Sequence, residues 1–175
     1  MLKFISFFAF VTASSSFAAT LTVVQELASP QVEAISAAFD ENLSDVQSGQ
    51  SVRMKYEFTT SKRTIVGMIK QAVYVGQQGD RFSTPDYVTV APLERTPTKI
   101  AKAVEGSLAY LEMPEGDLAE AASILVAKVL EASTSDKSLE FYTVQDGNSF
   151  GLCQRIAIVD TRNRELAMFA SCYSE

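Results

Sequence analysis

Two cysteines are the residues of this sequence whose spacing most directly implies chemistry. Cys153 and Cys172 are its only thiols, and each lies in an apolar, strand-like run. A four-residue loop over 161–164 would place them opposite each other in a hairpin, at a non-hydrogen-bonded position where side chains approach closely enough for a disulfide. Because the spacing is not Cys-x-x-Cys, the sequence favours a structural disulfide over a redox-active pair.

The hairpin that contains the cysteines is predicted to be apolar on both faces. The face that the cysteines share also carries Ala157, Val159, Leu166 and Met168. A sheet face in contact with water should instead be polar. We therefore expect this face to be a contact surface for a partner or a second copy, or to be covered by helices. A helix over 118–131 could cover one face of the hairpin, and the sequence shows no clear cover for the other.

A cluster of basic residues could bind an anionic ligand. Its members are Arg53, Lys55, Lys62 and Arg63. Arginine supplies the planar pair of donors that carboxylates and phosphates accept. However, the alternation over 52–58 places the aromatic side chains on the face opposite to the charges. That pattern is also typical of a half-buried strand followed by a solvated helix start.

Paired carboxylates are the acid–base chemistry that this composition offers most readily. Two Asp or Glu residues suffice for glycoside hydrolysis without histidine. The candidates are Glu57, Asp80, Asp86 and Glu94. None has neighbours that indicate a catalytic carboxyl group, so solvated surface charges are the favoured interpretation and no catalytic residue is assigned.

Two acidic sequences could hold a cation. The sequence Asp-Gly-Asn-Ser at 146–149 offers oxygen ligands to calcium, but it lacks the remaining ligands of a calcium loop and is a strong hairpin-turn sequence. Asp160 and Glu165 would face each other across the terminal hairpin, where Arg162 and Arg164 could relieve their repulsion. A turn is predicted at the first sequence, and no metal site or cofactor is predicted at either.

Composition excludes several classes of protein. The chain has no histidine, so Ser-His-Asp and Cys-His catalysis and histidine-containing zinc sites are excluded within it. The glycine motifs that bind phosphates and dinucleotides are absent. A formal net charge of −6 opposes general affinity for nucleic acids or anionic lipids.

Residues 1–18 have the layout of a cleavable secretory signal. A basic start precedes an apolar run over 4–11, and small residues occupy the −3 and −1 positions of a cut after Ala18. The apolar run is too short to span a bilayer. We expect a periplasmic or secreted protein without a membrane anchor, in which 19–175 is the mature domain and the cysteines are oxidised.

Strands and helices are predicted along most of the mature chain. Strands are expected at 21–27, 52–58, 86–91, 139–145, 151–160 and 165–173. Helices should begin at Ser29 and Thr96, each followed by a proline in the first turn. The segment 118–131 is apolar nearly all round, which predicts a well-buried helix.

One segment is ambiguous between helix and strand. Over 64–75, the spacing of Ile65, Met68, Ile69 and Ala72 favours a helix, whereas the β-branched content favours a strand. The helix is the preferred interpretation. The resulting order predicts a single α+β domain, with a mainly antiparallel sheet that ends in a three-stranded meander and is packed by three or four helices.

The expected function depends mostly on what the sequence lacks. We expect an exported, non-enzymatic protein that binds a protein or an envelope component, and self-association is left open. The alternative is a small carboxylate-based hydrolase of an envelope polymer. A concave cleft with two carboxyl groups about 5–10 Å apart would favour the hydrolase, and an exposed apolar surface would favour the binding protein.

Overall fold

The helices and strands follow one another in an α+β order in the computed structural model of the protein. The structure describes residues 21–43, 51–58, 65–76, 85–149 and 151–174. The elements are β1 (Leu21–Val23), α1 (Pro30–Asn42), β2 (Ser51–Phe58), α2 (Ile65–Gly76), β3 (Tyr87–Pro92), α3 (Pro97–Leu108), α4 (Glu115–Ser135), β4 (Leu139–Asn148), β5 (Gly151–Asp160) and β6 (Glu165–Ser174). The predicted signal at 1–18 lies outside the described residues.

The six strands form one antiparallel sheet with the order β1-β2-β6-β5-β4-β3. The C-terminal meander β4-β5-β6 supplies three of the four inner strands. The predicted fold class, a single α+β domain with a mainly antiparallel sheet and a C-terminal meander, is confirmed. Of the described helices, none is both long and apolar enough to cross a bilayer.

Helices α1, α3 and α4 cover one face of the sheet. Their buried side chains form one cluster with Phe141 of β4, Ile156 and Ile158 of β5, and Phe169 of β6. The rings of Phe39 in α1 and Phe169 are stacked, with their centroids 4.0 Å apart. This face therefore holds the larger of the two hydrophobic cores.

Helix α2 covers the opposite face. Met68 and Ile69 are fully buried in a second cluster with Leu166 and Met168 of β6. The Tyr56 hydroxyl, on β2, donates a hydrogen bond to the backbone oxygen of Ala72 in α2 at 3.2 Å. Burial raises the pKa of Tyr56, and the positive charge of Arg155 only partly offsets this. The preferred interpretation of 64–75 as a helix is confirmed.

The start of α1 is held by a distant carboxylate. Ser29 is the N-cap residue and Pro30 occupies the first turn, as predicted, but the Ser29 side chain makes no capping hydrogen bond. Instead, the backbone N–H groups of Ala28 and Ser29 donate to the two carboxylate oxygens of Glu165 at 2.5 and 2.9 Å. Glu165, the first residue of β6, thus fixes where α1 begins.

The loop between β5 and β6 is organised by Asp160. The backbone N–H groups of Arg162 and Asn163 donate to its Oδ1, at 2.8 and 3.0 Å. Arg164 takes a left-handed conformation, with φ of 61°. Asp160 and Glu165 do pair in register, but backbone N–H groups and, at Asp160, the Asn163 side-chain amide bind the two carboxylates in place of the arginine side chains expected from the sequence.

The turn predicted at 146–148 is wrong. These residues belong to β4, which pairs with β5 as far as Asn148 and Gly151. Gly147 serves a close approach between strands: a Cβ there would lie 2.8 Å from the Gly151 oxygen and 3.0 Å from the Tyr87 hydroxyl oxygen. Asp146 lies within β4, opposite Cys153. Its carboxylate binds Arg155 and is therefore not available to cap a turn.

Helix α4 is less buried than its composition predicts. It buries one stripe, formed by Ala121, Leu125, Val129 and Ala132. Its other apolar residues are half-buried or exposed, and Ile124 is 37% exposed. The helix lies on the outside of one layer, so only one stripe can reach the core.

Candidate functional site

A cleft lies where the helical layer leaves part of the sheet uncovered. It has a volume of about 470 Å³ and runs between α3 and the strands β3, β4 and β5. Its lining includes Thr89, Ala91, Pro92, Leu93, Glu94, Lys99, Lys102, Ala103, Gly106, Ser107, Thr143, Gln145 and Gln154. Clefts of this size are typical of small-ligand sites.

The floor of the cleft is a row of neutral polar side chains. Thr89 of β3 pairs in register with Gln145 of β4, and Gln145 pairs with Gln154 of β5. Thr143, two residues from Gln145 on the same strand, lies on the same face because side chains alternate along a strand. Hydroxyl and amide groups both donate and accept hydrogen bonds, so this floor offers several of each.

Gln154 is held in place by its surroundings. Its Nε2 donates to the Tyr110 hydroxyl at 3.1 Å. Gly106 of α3 packs directly over it, since a Cβ on Gly106 would lie 3.0 Å from Gln154 Oε1. The missing side chain at Gly106 lets the helix approach the floor, and the amide is oriented before any ligand arrives.

The wall of the cleft formed by α3 carries two lysines. Lys99 and Lys102 are exposed side chains about one turn apart on α3. Glu94 is the one carboxylate among the described residues that line the cleft. The cleft thus combines neutral hydrogen-bonding groups with two ammonium groups.

The predicted disulfide is present on the other face of the same strands. The Cys153 and Cys172 Sγ atoms are 2.03 Å apart, and the residues pair directly in register. Their Cα atoms are 4.1 Å apart, as expected for a non-hydrogen-bonded pair. Strand alternation places Cys153 opposite to Gln154, so the bond supports the floor from behind.

The residues predicted as a contact surface lie in the interior. Ala157, Val159, Leu166 and Met168 are all fully buried, in the cluster that α2 completes. The sequence allowed either a contact surface or cover by a helix, and in the structure a helix covers this face. The covering helix is α2 rather than the 118–131 helix, which packs on the opposite face.

The described residues of the predicted basic cluster do not form an anion-binding site together. Lys55 Nζ donates to Glu33 Oε1 at 2.7 Å and to the Gln25 oxygen at 3.1 Å, so its charge is paired inside the protein. Arg53 pairs with Phe169 in the register of β2 and β6. Lys62 and Arg63 lie outside the described residues.

The carboxylate candidates are dispersed. Glu57 is exposed on β2 and Asp86 is exposed before β3, whereas Glu94 lines the cleft. Asp80 lies outside the described residues. Within the described ranges, no group of three or more Cys, Asp or Glu residues is arranged to hold a metal ion.

A buried ion pair behind the cleft was not anticipated from the sequence. Arg155 Nε and Nη2 donate to Asp146 Oδ1 and Oδ2 at 2.5 and 2.9 Å, and both side chains are 1% exposed. Arg155 Nη1 has no hydrogen-bond partner among the described residues. Arg155 pairs in register with Val144, which faces α2, so strand alternation places its guanidinium on the α2 face, although both residues also border the cleft.

The cleft itself was also missed, although the sequence contained a signal for it. Thr89, Thr143, Gln145 and Gln154 are polar positions on strands whose neighbours are mostly apolar, but only the register brings them together.

A scan of protein-family models finds no match to this chain, and a search of curated proteins finds none that is similar to it.

Proposed function

We propose that this protein is an exported, non-enzymatic binding protein, and that the cleft beside α3 holds an envelope or extracellular component rich in hydroxyl groups and carrying a negative charge. The observation that supports this most directly is the composition of the cleft. Two lysines on one wall face a floor of two glutamines and two threonines.

Each part of the cleft fits one part of such a ligand. Amide and hydroxyl side chains exchange hydrogen bonds with ligand hydroxyl groups, which also donate and accept. Lys99 and Lys102 supply charge-assisted hydrogen bonds to a carboxylate or phosphate. Because Gln154 is already oriented by Tyr110, binding requires less ordering of the site.

The hydrolase alternative needs a second carboxylate near the first. Glycoside hydrolysis uses two carboxyl groups about 5–10 Å apart, and the described lining of the cleft includes Glu94 without another carboxylate. This composition favours binding over hydrolysis. The disulfide fits an oxidising compartment, which supports the exported location proposed from residues 1–18.

Calorimetric titration with a matched pair of oligosaccharides tests the proposal. Oligogalacturonate carries hydroxyl and carboxylate groups, and its methyl ester has the same backbone without the charge. The protein should prefer the charged oligomer. Replacing both lysines, Lys99→Gln with Lys102→Gln, should remove that preference, whereas Gln145→Ala should weaken binding of both oligomers by about threefold to tenfold, the value of one hydrogen bond.

Lys128→Gln is the control, since Lys128 is exposed on α4 and does not line the cleft. It should bind both oligomers as the unaltered protein does. Equal losses in Lys128→Gln and in the cleft variants would show nonspecific charge attraction and would contradict the proposal. Cleavage of either oligomer during the titration would support the hydrolase instead.

A further inference from the structure

A second concave surface lies on the outer side of the helical layer, away from the cleft. It is a groove of about 520 Å³ between α3 and α4. Its residues are Ala101, Glu105, Leu108, Glu115, Leu118, Ala119, Ala122, Ser123 and Val126. Here we call it the helical groove.

The helical groove is lined mainly by apolar side chains, of which Leu118, Ala122 and Val126 also pack partly against the core. The core-facing stripe of α4 is formed by other residues, centred on Leu125 and Val129. Leu118, Ala122 and Val126 lie beside that stripe at a spacing of four residues and are only half-buried. Small alanine side chains keep the groove open between the two helices, so a ridge of another helix can enter it.

Opposite charges lie at the two concave surfaces, with the lysines of α3 at the cleft and Glu105 of α3 and Glu115 of α4 at the helical groove. Lys99 and Lys102 face the cleft. Glu105 and Glu115 are the charged residues among the described lining of the helical groove, and both are exposed. A second copy of this chain would bring the same carboxylates together, and the net charge of −6 adds to that repulsion.

From this combination we propose that the helical groove docks a cationic amphipathic helix of a protein partner. The apolar face of such a helix, with side chains at positions i, i+3 or i+4 and i+7, would cover Leu118, Ala122 and Val126. Those three residues span about 12 Å along α4, or roughly two helical turns. Lysine or arginine residues beside that apolar face would meet Glu105 and Glu115. This inference is independent of the proposed ligand in the cleft.

Two designed peptides test the proposal. One is helical with leucines on one face and lysines on the other, and the second has every lysine replaced by glutamate. Fluorescence anisotropy with the purified full chain should show binding of the lysine peptide and none of the glutamate peptide. Failure of the lysine peptide to bind would overturn the proposal.

A first pair of variants tests whether the peptide binds in the helical groove. Ala119→Arg places a bulky charge in the groove, and Ala127→Arg places the same side chain at an exposed position of α4 outside the groove lining. Ala119→Arg should weaken binding of the lysine peptide at least about tenfold, and Ala127→Arg should change it less than twofold. Thermal unfolding of each variant by circular dichroism shows that the fold is retained.

Reversing the groove charges tests the electrostatic part. Glu105→Lys combined with Glu115→Lys should weaken binding of the lysine peptide and create binding of the glutamate peptide, whereas Glu120→Lys, outside the groove lining, should do neither. Equal effects of groove and control variants would overturn the proposal. So would a dimer of the unaltered protein that Ala119→Arg dissociates, because a second copy would then be the occupant.

Discussion

At the scale of single residues, the buried carboxylates among the described residues are each bound to specific donors. Glu165 accepts the N–H groups at the start of α1, Asp160 accepts those of its own loop, and Asp146 is paired with Arg155. A buried carboxylate without such partners would be strongly destabilising. Each of these carboxylates therefore fixes the position of the donor groups that it binds.

The Asp146–Arg155 pair gives the largest residue-scale prediction. Asp146→Ala should lower the free energy of unfolding by about 3–5 kcal/mol, because it leaves a buried guanidinium without its counter-charge. Urea unfolding followed by circular dichroism measures this loss. The double variant Asp146→Leu with Arg155→Met should recover most of the stability, since an apolar pair of similar volume removes the unpaired charge. A loss below about 1 kcal/mol in Asp146→Ala would contradict the prediction.

A second ion pair makes stability depend on pH. Burial tends to raise the pKa of Glu33, but the hydrogen bonds from Lys55 and the Leu27 N–H, together with the Lys55 charge, leave that pKa below its ordinary value of 4.5. The unfolded state therefore binds the proton more tightly, and the stabilisation is present above about pH 4.5 and is lost as the pH falls through and below it. Glu33 is one-third exposed, so we expect less than about 1 kcal/mol.

Unfolding measured between about pH 7 and pH 3 in Glu33→Gln tests this pH dependence. The variant should lose less stability than the unaltered protein as the pH falls below about 4.5. Lys55→Met removes the partner and should reduce the same acid sensitivity. An unchanged pH profile in both variants would show that the pair does not contribute.

At the scale of elements, the sequence predicted the hairpin and the helices that depend on residues close together in the chain. The β5–β6 hairpin was placed correctly because the two cysteines and the 161–164 loop constrain one register. The β4–β5 turn was misplaced because Asp-Gly-Asn has the chemistry of a turn. In the structure, Arg155 binds the aspartate and Tyr87 lies over the glycine, and neither contact is local in sequence.

That error also explains why the cleft could not be predicted. A turn at 146–148 would place Gln145 beside the turn rather than opposite Gln154. The floor depends on the register of three strands, and the wall depends on where α3 crosses them. The helical groove was likewise hidden, since α4 appeared apolar nearly all round and only the packing shows which side stays open.

Two glycines provide a matched test at this scale. Gly147→Ala should destabilise the protein by about 1–3 kcal/mol, because the new Cβ would lie 2.8 Å from a backbone oxygen that cannot easily move. Gly116→Ala in the first turn of α4 has nothing within 4 Å and should stabilise by up to about 1 kcal/mol through helix propensity. Thermal unfolding compares them, and equal effects would contradict the close approach at Gly147.

At the scale of the whole molecule, α2 is the one helix among the described residues that contributes to the second core. Three helices contribute to the core on the other face, whereas within the described ranges α2 is the helix that packs on Leu166 and Met168. The two cores lie on opposite faces of the sheet, and β4, β5 and β6 contribute side chains to both. Damage to the α2 face should therefore affect the entire domain.

Met168→Glu tests that coupling, and Ile124→Glu on the exposed side of α4 is its control. An unpaired carboxylate at a fully buried position costs several kcal/mol, a large part of the roughly 5–15 kcal/mol that stabilises an ordinary domain. Met168→Glu should lose its cooperative unfolding transition, whereas Ile124→Glu, at a position 37% exposed, should change stability by about 0.5 kcal/mol or less. If Met168→Glu instead lost only the signal of α2 and kept a cooperative transition, the two cores would be independent. A midpoint equal to that of the unaltered protein would mean that this face is open to solvent and available to a partner.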